Sequence, residues 1–179
     1  MNYSAIKPND IADGEGVRVS LFVSGCLRHC KGCFNSSAWS FESGKPFTDE
    51  VQNNLLKLLD RPYINGLTLL GGDPFEIQNQ KALLPFLKRV KNELPQKNIW
   101  AYTGYVLDED LIEDGQRHCE ATYPMLKLID VLIDGPFVED LKDISLKFRG
   151  SSNQRIIDLK NFSFDDCSVK EELLWRMNN

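Results

Sequence analysis

The stretch Cys26-Leu27-Arg28-His29-Cys30-Lys31-Gly32-Cys33-Phe34-Asn35 holds three of the five cysteines of the chain. Thiolates spaced this closely converge on one centre when the backbone curls round it. They are soft ligands, suited to zinc, copper(I) or iron–sulfur clusters. A closed zinc site takes four ligands, so zinc here requires His29, Cys119 or Cys167 as the fourth. A four-iron cluster held by three cysteines leaves one iron open to a ligand. The spacing by itself leaves both readings standing.

The flanks of this stretch set the fold. Residues 18–23 (Arg-Val-Ser-Leu-Phe-Val) are β-rich and read as a first strand, ended by Ser24-Gly25. The cysteine loop therefore follows the C-terminal end of a strand, where open α/β sheets and barrels place their sites. Residues 10–16 form a turn-rich lead-in. Thr48 is a good N-cap, with Asp49 and Glu50 in the first turn of a helix running to about Leu59. Residues 67–70 are a second strand, entering Gly71-Gly72-Asp73-Pro74. A helix is expected over about 80–94, with Pro85 confined to its first turn because interior proline is costly.

Residues 99–102 are a third strand, followed by Thr103-Gly104-Tyr105. Residues 108–127 read as a weak helical region, interrupted near Gly115 and Pro124. Residues 129–133 form a fourth strand ending in Asp134-Gly135-Pro136, and Ile156-Ile157 a last one. The tail could close in a short amphipathic helix using Leu173 and Leu174.

Strand–loop–helix alternation implies a parallel sheet with right-handed crossovers. A complete eight-unit barrel needs about 250 residues, and this chain has 179. The expected fold is α/β: a partial, open parallel β/α barrel of about five or six strands. One unit over 1–157 with a C-terminal extension over 158–179 is the expected division.

Composition is that of an ordinary soluble protein, 42% hydrophobic and 26% charged. A net charge of −5 offers no global attraction for nucleic acid or acidic membranes. No apolar run approaches a membrane span, and the first residues lack the apolar core of a signal peptide. Clustered cysteines in odd number point to metal or redox chemistry in a reducing compartment, so a cytoplasmic protein is expected.

Ordered motifs carry a family resemblance over about residues 3–157. Cys26-x3-Cys30-x2-Cys33 followed by Phe34 resembles the radical S-adenosylmethionine enzymes, and Gly32-Cys33-Phe34-Asn35 resembles the activating enzymes of glycyl radical proteins. Gly71-Gly72-Asp73-Pro74 is similar to their Gly-Gly-acid-Pro motif, and Trp100-Ala101-Tyr102-Thr103-Gly104-Tyr105 to their Trp-x-x-Thr-Gly-Tyr segment. Arg149-Gly150-Ser151-Ser152-Asn153-Gln154-Arg155 resembles the signature of the branch acting on anaerobic ribonucleotide reductases.

The resemblance implies a radical SAM type of barrel and a [4Fe–4S] cluster on Cys26, Cys30 and Cys33. It implies that the open iron binds S-adenosylmethionine, whose reductive cleavage gives a 5′-deoxyadenosyl radical. That radical would take a glycine Cα hydrogen from the large catalytic subunit of an anaerobic ribonucleoside-triphosphate reductase. A low-potential electron donor such as flavodoxin is implied as well. Gly32, Cys33 and Phe34 would lie near the adenine. Gly71, Gly72 and Asp73 would receive the methionine amino group, and Thr103 would line the pocket.

Asp134 ends a buried strand, where a carboxylate is costly unless paired or facing a polar site. It reads as facing the S-adenosylmethionine or glycine region, or else as a turn-starting aspartate before Gly135-Pro136. No acid–base dyad stands out. The rival readings are another radical S-adenosylmethionine activase, such as a formate-lyase activating enzyme, and a non-enzymatic zinc or iron–sulfur module.

Overall fold

The computed structural model describes residues 1–175. Strands β1 (Asn2–Asp10), β2 (Arg18–Val23) and β3 (Lys45–Pro46) precede helix α1 (Asp49–Leu59). Then follow β4 (Gly66–Gly71), α2 (Ile77–Glu93), β5 (Asn98–Tyr102), short helices α3 (Leu107–Asp110) and α4 (Thr122–Leu126), β6 (Val131–Asp134) and β7 (Arg155–Asp158). One seven-stranded open sheet has the order β3-β1-β2-β4-β5-β6-β7. The four central strands β2, β4, β5 and β6 are parallel. The flanking pairs β1–β2, β1–β3 and β6–β7 are antiparallel.

The helices and central strands form where the apolar pattern places them. Thr48 caps α1, its hydroxyl accepting the Val51 N–H. Leu55, Leu56 and Leu59 of α1 join Leu83, Phe86, Leu87 and Val90 of α2 in one core. That core also takes Val19, Leu21 and Val23 of β2, which alternate with the equally buried Arg18, Ser20 and Phe22. Strands β2 and β4 are buried on both faces, as central parallel strands are, with Arg18, Ser20 and Thr68 as buried polar positions among the apolar ones. A smaller cluster holds Trp100, Val131, Ile133 and Ile156, with Phe148 and Trp175 against it. Arg18 is wholly buried, donating to Thr68 Oγ1 at 2.6 Å and the Leu67 carbonyl at 2.8 Å, with its guanidinium over the Trp100 ring.

Four expectations need correction. The sheet has seven strands rather than five or six, because residues 2–10 pair with β2 and Lys45–Pro46 pair with them as a short edge strand. The last strand is antiparallel, since no crossover helix of ordinary length returns the chain to the sheet after β6. Helix α2 begins at Ile77, so Pro85 is interior. It lies on the exposed face, where water can satisfy the Lys81 carbonyl that its missing N–H leaves free. In the tail, a 3-10 turn at Glu171–Leu173 replaces the expected helix; Leu173 enters the core and Leu174 bridges to Ile157.

Candidate metal centre

Parallel register brings the ends of four strands to one edge. Val23 pairs with Gly71, and Tyr102 with Ile133. The loops after β2, β4, β5 and β6 therefore meet there. They line a cavity of about 520 Å³, a size suited to a nucleoside-bearing ligand.

The cysteine loop begins at Gly25, whose φ of +98° is a glycine conformation; a Cβ there would lie 2.0 Å from the Phe41 ring. Gly25 N–H donates to the Ala38 carbonyl and Cys26 N–H to that of Trp39, folding the following segment back onto the loop. His29 adopts a φ of 48°, and its ring stacks on Trp39 with centroids 4.5 Å apart. Cys33 N–H donates to the Cys30 carbonyl at 3.1 Å. Cys26, Cys30 and Cys33 are each half-buried and line the cavity.

The double-glycine turn is backed against this loop. Gly72 N–H donates to the Val23 carbonyl at 2.7 Å, and Asp73 N–H to that of Gly25 at 2.8 Å. A Cβ on Gly72 would sit 2.5 Å from the Gly25 carbonyl oxygen, so the approach admits glycine alone. Asp73 is almost wholly buried. Its Oδ1 accepts the Phe75 N–H and the Thr103 hydroxyl, both at 2.9 Å, and its Oδ2 accepts the Gly104 N–H at 2.8 Å. Burial still pushes its carboxyl up to about 7. Asp73 thus ties the β4 turn to the β5 turn.

Glu76 adds a second tie, its Oε1 accepting the Leu27 N–H and the Tyr105 hydroxyl, both at 2.7 Å. Arg117 approaches its other oxygen at 3.3 Å. Burial, and then the Asp73 charge, push the Cys26 thiol up to about 11. A metal must therefore displace that proton for Cys26 to ligate, as thiolate coordination requires.

Gly32, Phe34, Gly71, Gly72, Asp73 and Thr103 all line the cavity. Phe34 is 98% exposed. Asp134 is not part of that lining. Its carboxylate is wholly buried and bonded to Arg155 and the Leu107 N–H, so the pairing that makes its burial tolerable is with the protein. Asp13 lines the cavity although it read only as part of a turn, and burial, then Asp10, push it up to about 7. The segment after β6 closes another side, through Phe137, Ile144 and Arg149. No periodicity marks Asp13, Glu76 or Ile144 in the sequence.

The three other candidate ligands point elsewhere. Cys119 Sγ lies 3.6 Å from Gln80 Oε1, Cys167 Sγ lies 3.3 Å from the Tyr123 hydroxyl, and His29 is engaged by Trp39. Among the described residues, no three His, Cys, Asp or Glu side chains converge on a single-ion site. A four-iron cluster sets each thiolate on a different iron, so its ligands stand further apart than those of one ion. Three cysteines lining a cavity beside glycine turns fit that donor set.

Residues 12–157 match the family model described as a 4Fe-4S single cluster domain, which makes this an iron–sulfur α/β protein. The chain is 48% identical over 158 residues to the anaerobic ribonucleoside-triphosphate reductase-activating protein of Pasteurella multocida, covering 87% of this chain and 96% of that one. The protein of that name from Escherichia coli K12 is 44% identical over 162 residues, 89% and 100% of the two chains. That of Enterobacteria phage T4 is 42% identical over 156 residues, 87% and 93%. The chain belongs to the family of anaerobic ribonucleoside-triphosphate reductase-activating proteins. No helix among the described residues is long and apolar enough to cross a membrane.

Proposed function

We propose that this chain is a radical S-adenosylmethionine activase that generates a glycyl radical in the large catalytic subunit of an anaerobic ribonucleoside-triphosphate reductase. The observation that carries the reading is that Cys26, Cys30, Cys33 and the Gly71-Gly72 turn line one cavity. In this reading the cysteines hold a [4Fe–4S] cluster, and the cavity takes S-adenosylmethionine. When bound, the two would supply the radical chemistry: one electron from the cluster would split the carbon–sulfur bond, releasing methionine, and the 5′-deoxyadenosyl group would leave as 5′-deoxyadenosine after taking one glycine Cα hydrogen.

The protein supplies position, electrostatics and exclusion of water. Gly71 and Gly72 keep side chains away from the ligand. Asp73 fixes the Thr103-Gly104 turn and, with Gly71 and Gly72, receives the methionine amino group in this reading. Phe34, with no packing partner to satisfy, presents an apolar ring to the adenine. Hydrogen-atom abstraction needs no side-chain acid or base. The open sheet acts here as the incomplete barrel of the radical SAM type, whose unwalled side admits a peptide loop. Residues 1–157 form the catalytic unit in this reading, with 158–179 as an extension, and a low-potential donor such as flavodoxin reduces the cluster in the cytoplasm.

Anaerobic reconstitution tests the proposal. The expected outcome is a protein with about four irons per chain, whose reduced paramagnetic signal changes on adding S-adenosylmethionine and is lost in Cys30→Ala. Zinc in place of iron, or a reduced cluster indifferent to S-adenosylmethionine, would overturn it.

A further inference from the structure

Two arginines after β6, Arg149 in the loop and Arg155 at the start of β7, are in different electrostatic states. Arg155 is neutralised: its Nη2 lies 2.7 Å from Asp108 Oδ1, and its Nε donates to Asp134 Oδ1 at 2.9 Å. Arg149 lines the cavity and takes part in none of the ion pairs among the described residues. Its Nη1 donates to the Gln154 carbonyl at 2.9 Å, while its Nε–H is buried with no acceptor among those residues. That Nε is closed off from the cavity, whereas Nη2 is neither buried nor hydrogen-bonded to the described residues, so the outer edge of the guanidinium is the side left for a ligand.

The loop holds this guanidinium in place. Gln154 Oε1 accepts the N–H groups of Gly150 and Ser151, at 2.9 and 3.2 Å, and Gln154 Nε2 donates to the Gly135 carbonyl at 3.2 Å. Other cavity cations are less suited to an anion. Arg28 is 3.9 Å from Asp110 and lies over the Tyr105 ring, and Lys142 is exposed. A held, part-buried guanidinium without a carboxylate partner recognises planar carboxylates in a fork geometry.

We propose that Arg149 binds the carboxylate of an amino-acid-bearing ligand in the cavity. Resting on the function proposed above, that ligand is the methionine moiety of S-adenosylmethionine. An acidic side chain of the partner protein offers the same chemistry, and the test separates the two sources.

The experiment is anaerobic equilibrium titration of the cluster-loaded full chain with S-adenosylmethionine and with its decarboxylated analogue. Arg149→Gln is expected to weaken S-adenosylmethionine binding by roughly ten- to a hundredfold, the range of a hydrogen-bonded charge, and to leave the analogue's affinity unchanged. Arg149→Lys should fall between, keeping the charge and losing the fork. Equal losses for both ligands would make Arg149 merely structural and overturn the proposal. Unchanged S-adenosylmethionine affinity would overturn it too, and weakened binding of the reductase subunit in a parallel titration would then assign the carboxylate to the partner. If the unaltered protein binds S-adenosylmethionine nowhere, the functional reading falls and this proposal with it.

Discussion

Glu76 holds the cysteine loop by its backbone: its Oε1 accepts the N–H of Leu27, between the first two cysteines, at 2.7 Å. The same oxygen takes the Tyr105 hydroxyl, and Arg117 faces its partner oxygen. Helix α2 begins at the next residue, so the loop is fastened to the helix start. Glu76→Ala strands three donors at once. Breaking a buried pair in this way costs on the order of 3 kcal/mol. For a chain of this size, that lowers the melting temperature by roughly 6–12 °C. Thermal unfolding of the metal-free protein reads this directly. An unchanged midpoint would deny the tie.

Phe34 has the opposite character. Fully exposed beside the cavity, it has no contact whose loss would destabilise the fold. Phe34→Ala should leave the unfolding midpoint in urea within about 0.5 kcal/mol of the parent. It should weaken S-adenosylmethionine binding severalfold. A large stability loss would show that the ring packs; unchanged affinity would remove it from the adenine site.

Asp108 predicts a pH dependence. Burial works upward on its carboxyl, and the Arg155 ion pair overcomes this and holds it below its ordinary value of 3.8. A depressed folded-state value means stability that is present above the unfolded value and lost as pH falls through the folded one. The difference in unfolding free energy between the parent and Asp108→Asn should be constant above about pH 5 and shrink below about pH 4. A difference that persists unchanged to pH 2 would contradict the pairing.

The two outlying thiols give a sharper contrast. Cys119 and Cys167 are occupied by Gln80 and Tyr123. Cys119→Ala and Cys167→Ala, singly or together, should leave iron and sulfide content unchanged. Cys26→Ala, Cys30→Ala or Cys33→Ala should each strip most of it. Loss of metal on replacing Cys119 would restore the zinc reading.

What was legible in the sequence is what local chemistry dictates. Thr48 capped its helix, the glycines at 71 and 72 marked a close backbone approach, and β2, β4, β5 and β6 stood out as β-rich or apolar segments. Strand β1 was not legible because it is polar, half-exposed and interrupted by Lys7-Pro8 near a register shift. Pairing direction at β7 depends on the connection, which no residue pattern encodes. Asp134 shows the limit at the site: a buried strand-end carboxylate demands a partner, and the sequence does not say that the partner is Arg155, 21 residues away. Glu76 and Asp13 reach the site through tertiary contact alone.

The measurement that bears most directly on the central claim is electron paramagnetic resonance of an anaerobic mixture. It would contain the reduced, cluster-loaded chain, S-adenosylmethionine and the large reductase subunit. The expected result is a glycyl radical signal on the reductase that requires all three components, is absent with Cys30→Ala, and loses its α-hydrogen splitting when the reductase carries α-deuterated glycine. A reductase that stays radical-free, while the cluster is reduced and S-adenosylmethionine is bound, would contradict the claim.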